Sequence, residues 1–296
     1  MIKLVENKNV FVVGCSRSGT TLLQSILANS PQYKAFPEAN VLYHVLDNLY
    51  ARQYSSLLGR KDILKSYITF VLNRFGYSRK FSNIHIENFL TNIKRLDLNV
   101  LAPKNEKAIK EVFKSFRDIL NEASGQKYWI EKTPQNIFCI DLMQKYYPDD
   151  TFVHIIRDGK DNIASLIDAA RKYDDFANRF GGPKGIQKAV DYWNGSIRYS
   201  YSMRGLPNHH FIRFEKLISE PLKALHSVSE ALDIEFTNDM ITYNTEKIIN
   251  ENEKWKVKQT SEVKKPESKF DKIFSKQEKE FILNKMNSVN DYFPIQ

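Results

Sequence analysis

The sequence predicts an α/β fold, a doubly wound and mainly parallel sheet, and three observations carry that expectation. A β-branched and aromatic run, Val10-Phe11-Val12-Val13, stops at a glycine-rich turn, as a strand buried on both faces does. Two further runs of this kind follow, Phe152-Val153-His154-Ile155-Ile156 and His210-Phe211-Ile212-Arg213-Phe214. Between and after them apolar residues recur at helical spacing. Strands that alternate with helices argue for βαβ units and hence a parallel sheet.

Taken in order, the first strand leads through Gly14-Cys15-Ser16-Arg17-Ser18-Gly19-Thr20-Thr21 into a helix with Leu22, Leu23, Ile26 and Leu27 on one side and Pro31 past its end. Residues 42–124 carry several helical patterns, among them 63–75 and 108–120, without an internal repeat. Tyr128-Trp129-Ile130 reads as a short strand, followed by a helix over 137–147. After Asp158-Gly159, the set Ile163, Leu166, Ile167 and Ala170 keeps the spacing of one helix face. Gly181-Gly182-Pro183 breaks the chain before a long amphipathic helix that ends near Arg204, and Pro221 suits the first turn of another. Residues 244–269, rich in lysine and glutamate, read as a long loop or poorly ordered flap, and Ser275-x-x-Glu278 as a capping box. The expected organisation is one domain over 1–296, in which the helical stretch 42–124 is an insertion over the carboxyl edge of the sheet, where ligands bind in such folds.

The composition narrows the function. With 42% hydrophobic and 27% charged residues the chain is ordinary for a globular protein. It has no run approaching the roughly 18 apolar residues of a membrane span, and its first residues lack the apolar core of a signal peptide. Two cysteines, Cys15 and Cys139, are too few for a disulfide framework or a structural zinc site and read as packing residues. A cytoplasmic protein with no membrane partner is expected. The net charge of +9 favours anionic ligands. The lysines are scattered among acids rather than clustered, so a multiply phosphorylated small ligand fits better than nucleic acid.

The loop Gly14-x-x-x-x-Gly19-Thr20-Thr21 nearly matches the nucleotide-binding pattern G-x-x-x-x-G-K-[ST]. Its backbone amides form an anion nest, and the helix beginning at Thr20 adds its positive end. Thr20 stands where the lysine that reaches the β- and γ-phosphates would be, and Arg17 supplies a cation instead. A triphosphate with magnesium needs that lysine. A 5′-phosphosulfate carries less charge at this place and needs no metal. The substitution therefore points away from a P-loop small-molecule kinase, which remains the alternative.

The segment Val13–Leu23, with Arg-Ser-Gly-Thr-Thr, resembles the 5′-phosphosulfate loop of sulfotransferases that use 3′-phosphoadenosine 5′-phosphosulfate (PAPS). A second segment, His154-Ile155-Ile156-Arg157-Asp158-Gly159-Lys160-Asp161 through Ser165, resembles the 3′-phosphate signature of the same family, a strand ending in Arg-Asp with a serine eight residues after the arginine. The nearest branch is the one holding tyrosylprotein and many bacterial sulfotransferases. The resemblance implies PAPS as donor, no metal, and nucleotide contacts from Arg17, Ser18, Gly19, Thr20, Thr21, Arg157 and Ser165.

Further positions follow from it. Lys132 in Trp129-Ile130-Glu131-Lys132-Thr133-Pro134 resembles a lysine that touches the bridging oxygen or sulfuryl group, a task it would share with Arg17. Glu38 in Phe36-Pro37-Glu38-Ala39-Asn40 takes the place of the catalytic glutamate, the base that removes the acceptor proton. His44 is the second candidate base, as in the histidine-using branch, whereas His154 lies mid-strand and reads as a satisfied core residue. Phe214 replaces a tyrosine in an Arg-Tyr-Glu-x-Leu segment on the adenine side, and Trp255 and Lys256 resemble a stretch that folds over the nucleotide. Asn40 stands where the tyrosylprotein branch has an arginine that holds acidic peptides. A hydroxyl or amine of a small metabolite or natural product is therefore the expected acceptor, with a protein tyrosine or a carbohydrate as the alternative.

Overall fold

The computed structural model describes residues 8–45, 86–91, 109–244, 248, 260–263 and 266–294. Its centre is a five-stranded sheet formed by β1 (Val10–Gly14), β2 (Tyr33–Ala35), β3 (Tyr128–Lys132), β4 (Thr151–Ile156) and β5 (His209–Arg213), in the order β2-β3-β1-β4-β5. Every pairing is parallel, with Val12 opposite Lys132 and Val153, and Ile156 opposite Arg213. All residues of β1 and β4 are buried, which explains why they read as unbroken apolar runs rather than as alternation.

The sheet carries a core on each face. Phe11, Trp129 and Phe152 pack on one side with α2 (Ile109–Ser124), α4 (Gly159–Ala170) and α6 (Gly185–Ser202). Val10, Val12, Ile130 and Ile212 pack on the other with α1 (Thr20–Ala28) and α9 (His226–Leu232). This is the doubly wound α/β arrangement.

Several boundaries differ from the sequence expectation. β2 is a three-residue edge strand with no apolar run to announce it. β3 continues past Ile130, so Glu131 and Lys132 belong to the strand rather than to the turn after it. The helix expected over 137–147 begins as a 3₁₀ turn at Pro134–Cys139 and becomes α3 (Ile140–Tyr146). β5 ends at Arg213, and Phe214 opens α7 (Phe214–Ser219). Residues 244–269 are not all loop, because β6 (Thr242–Asn244) and β7 (Thr260–Glu262) form an antiparallel ladder. β6 is tied to α1: the Ser25 hydroxyl donates to Asn244 O (2.9 Å) and Asn29 Nδ2 donates to Met240 O (2.8 Å). The helical pattern expected over 63–75 lies outside the described residues.

His154 is a buried core residue, as expected. Its Nδ1 faces the Ser200 hydroxyl (3.1 Å) and its Nε2 faces His209 Nδ1 (2.8 Å), while His209 Nε2 meets Gln144 Oε1 (2.8 Å). Burial holds His154 well below the usual histidine range and brings His209 down to about 4. Ser275 caps α11 (Lys276–Lys285), with both halves of the capping box made. Among the described residues no helix is long and apolar enough to cross a membrane.

Candidate active site

Three adjacent strands deliver the candidate residues to one end of the sheet. β3 ends in Lys132, β1 in the loop 14–19, and β4 is followed by Arg157. Their carboxyl ends lie side by side around the central strand, the place where open parallel sheets bind ligands.

The loop is shaped by two glycines. A β-carbon at Gly14 would stand 2.6 Å from Ile155 O, and one at Gly19, where φ is +102°, would stand 2.5 Å from the Phe214 ring. Arg17 adopts a left-handed backbone with φ 68°. The Ser16 hydroxyl bonds the Tyr192 hydroxyl (2.9 Å), and Asn162 Nδ2 donates to Ser16 O (3.3 Å), which moors the loop to α6 and α4. No side chain caps the start of α1 at Gly19, so the amides of Thr20 and Thr21 head a first turn that carries no acid and suits an anion.

Arg17, Arg157 and Ser165 come together, although 140 residues separate the two arginines in sequence. Arg157 Nη1 donates to Arg17 O (3.0 Å), and Arg17 Nε lies 3.4 Å from the Ser165 hydroxyl. Arg157 is braced from below, its guanidinium 4.6 Å from the Phe214 ring centre and its carbonyl accepting from Trp193 Nε1 (3.2 Å). Ser18 Oγ and Arg157 Nε are buried polar atoms without a hydrogen-bond partner among the described residues.

Lys132 and Glu38 form an ion pair at the end of β3. The Lys132 side chain is only 1% exposed and that of Glu38 16%. The loop that bears Glu38 is held from several directions. Phe36 N donates to Ile130 O (3.1 Å), Gln24 Nε2 on α1 donates to Phe36 O (2.7 Å), and Asn40 N donates to the Thr133 hydroxyl (3.1 Å). Beside Lys132, the fully buried Glu131 has its carboxyl pushed up to about 7 by burial, against which the Thr133 hydroxyl bond and the charge of Lys132 work. Gln24 and Glu131 were not singled out from the sequence. A charged residue inside an apolar strand was the available signal for Glu131, and nothing local marks Gln24.

His44 is half-buried, in the helical segment that follows the Glu38 loop, with its amide on Asn40 O (3.2 Å). Phe214, expected on the adenine side, is only 8% exposed and packs between Gly19 and Arg157, so its ring buttresses the site rather than offering an open stacking face. Trp255 and Lys256 lie outside the described residues. Cys15 and Cys139 are buried, and burial pushes the Cys15 thiol up to about 12, as packing residues require.

The sulfotransferase-family model matches residues 9–238, most of the chain and both strand-end motifs. The chain belongs to the sulfotransferase family. It is 22% identical over 239 residues to the Protein-tyrosine sulfotransferase 2 of Gallus gallus, an alignment covering 78% of this chain and 53% of that protein. It is 21% identical over 245 residues to the Protein-tyrosine sulfotransferase 1 of Danio rerio, covering 81% and 56%. The sulfotransferase chain thus spans little more than half the length of these relatives. The solved sulfotransferase domain from the curacin biosynthetic pathway superposes with a TM-score of 0.55 at 15% identity, covering 94% of this chain and 96% of that one. That likeness shows a shared fold.

Proposed function

We propose that this protein transfers the sulfuryl group of PAPS to a hydroxyl or amine of a small metabolite or natural product, with Glu38 as general base. One observation carries the reading: Lys132, the loop 14–19 and Arg157 meet at the carboxyl ends of three neighbouring strands, with Ser165 against Arg17 and a carboxylate at hand. The fit to the donor is good. The loop amides and Arg17 suit the 5′-phosphosulfate, Arg157 and Ser165 suit the 3′-phosphate, and the two unpartnered buried atoms, Ser18 Oγ and Arg157 Nε, gain a use if an anion sits between them.

The acceptor oxygen or nitrogen attacks sulfur, a new bond to sulfur forms, and the bond from sulfur to the bridging phosphate oxygen breaks. The electron pair of that bond leaves with adenosine 3′,5′-bisphosphate, and the acceptor proton passes to Glu38. Nothing is oxidised or reduced. Lys132 and Arg17 meet the charge that builds on the leaving oxygen, where a fixed cation lowers the barrier most. Lys132 pairs with Glu38 here, which aims the carboxylate at the same point.

The segment 42–124 supplies the acceptor side of a single domain in this reading, and a cytoplasmic location agrees with two buried free thiols. A tyrosine-peptide acceptor is the second reading, favoured by the names of the two vertebrate relatives. Incubation with ³⁵S-labelled PAPS and a panel of hydroxylated metabolites, phenols, amines and acidic tyrosine peptides separates the two. Labelled small-molecule product supports the proposal, labelled peptide alone replaces the acceptor class, and transfer from ATP in place of PAPS refutes the reaction.

A further inference from the structure

The sheet end holds a second carboxylate that the chemistry above does not use. Glu131 precedes Lys132 on β3 and therefore points to the opposite face, in register with Phe11 while Lys132 is in register with Val12. It has no exposed surface. Two donors converge on it. The Thr133 hydroxyl donates to Oε1 (2.5 Å), and Asn136 Nδ2 donates to Oε2 (3.0 Å). The Thr133 oxygen in turn accepts from Asn40 N (3.1 Å).

The loop that bears Glu38 therefore hangs on Glu131 through Asn40 and Thr133. Among the described residues Asn40 is one of three non-glycine residues with positive φ, at 56°, a strain that persists only where the surroundings hold it. A buried carboxylate is a poor stabilising device, since an apolar side chain of similar volume often serves a core as well. What it supplies is acceptor geometry: its two oxygens receive the Thr133 hydroxyl and the Asn136 amide, and a glutamine of the same volume would turn one of those acceptors into a donor.

We infer that Glu131 is a positioning residue that sets the Glu38 carboxylate against Lys132 by tethering the Asn40 amide, through Thr133, to the end of β3. The inference rests on the assignment of Glu38 as the base.

Glu131→Gln keeps the volume and turns one acceptor into a donor. Hydrogen exchange followed by mass spectrometry on the peptide spanning 36–41 reads the tether without any acceptor present. At least tenfold faster exchange there is expected, with β1 unchanged. Kinetics with PAPS, using 2-naphthol and an acidic tyrosine peptide as acceptors, reads its consequence. The expected kcat falls at least tenfold while the KM for PAPS and the Kd for adenosine 3′,5′-bisphosphate stay within twofold. In the Glu38→Gln background, Glu131→Gln removes less than a further twofold, because groups acting as a unit are not additive. Should Glu131→Gln fold poorly, Thr133→Val tests the same tether and Thr133→Ser restores it. Unchanged exchange at 36–41, weakened nucleotide binding, or a full multiplicative loss on top of Glu38→Gln overturns the inference. Normal turnover by Glu38→Gln alone instead overturns the base assignment, a result distinct from these.

Discussion

The Arg157 guanidinium lies 4.6 Å from the centre of the Phe214 ring, and the same ring stands where a β-carbon at Gly19 would go. One side chain from the start of α7 thus sets both the cation proposed for the 3′-phosphate and the last turn of the loop proposed for the 5′-phosphosulfate.

Arg157→Ala should weaken adenosine 3′,5′-bisphosphate binding by tenfold or more. Losing one charge-assisted contact typically costs about 1.5–3 kcal/mol, and tenfold corresponds to about 1.4 kcal/mol. Calorimetry on the parent and variant reads this directly. Thermal shift adds a control: the bisphosphate should stabilise the parent far more than AMP does, and equal shifts would mean that Arg157 and Ser165 do not hold a 3′-phosphate.

Gly19→Ala should damage the loop in two ways, through φ +102° and through the Phe214 contact at 2.5 Å. A loss of about 1–3 kcal/mol of stability is expected from the strain, visible in urea unfolding, together with weaker nucleotide binding. Gly125→Ala is the comparison. Its φ of +69° is also positive, but a β-carbon there meets nothing within 4 Å, so it should cost less and leave nucleotide binding intact.

Glu38→Gln should retain near-normal affinity for adenosine 3′,5′-bisphosphate while kcat drops by roughly 10²–10⁴, the range general-base catalysis supplies. His44→Ala should do much less. Steady-state kinetics on the two variants decides between them, and a dead His44→Ala beside an active Glu38→Gln would move the base to histidine.

Turnover should survive excess EDTA. Thr20 occupies the position at which a triphosphate site needs lysine, and a sulfuryl group with its single charge needs no magnesium. Loss of activity in chelator with recovery on adding magnesium would revive the kinase reading.

Acid should destabilise the protein through His154 and His209. Burial lowers both below their unfolded value, His209 to about 4 from 6.5. The unfolded chain therefore binds more protons between these limits, and stability rises with pH there. The contribution is intact above about pH 6.5 and is lost as pH falls toward 4. Urea melts at pH 7.5 and 5 on the parent and on a His154→Gln/His209→Gln variant test this, the variant being expected to lose less on acidification.

The parts of the fold that were legible are those with dense local signals. β1 and β4 are buried on both faces and so appear as unbroken apolar runs, and each leads into a turn and helix whose spacing is intact. β2 is only Tyr-Lys-Ala and offers no period. The end of β3 was misplaced because Glu-Lys after Ile130 looks like a solvated turn, whereas tertiary donors and the Glu38 partner let both charges be buried. The Lys132–Glu38 pair spans 94 residues. Each partner was named from motif resemblance, but their contact has no local trace. The packing of Phe214 was hidden for the related reason that its neighbours, Gly19 and Arg157, come from distant strands.

The anchors of the Glu38 loop have a consequence for how this scaffold tolerates change. Gln24, Ile130, Glu131 and Thr133 belong to the first helix, the third strand and the turn after it, and none lies between 46 and 108. In the proposed reading, in which the segment 42–124 shapes the acceptor side, exchanging that segment would re-aim the enzyme at another acceptor while these four anchors of the base stay in place, which makes this chain a candidate chassis for grafting acceptor specificities.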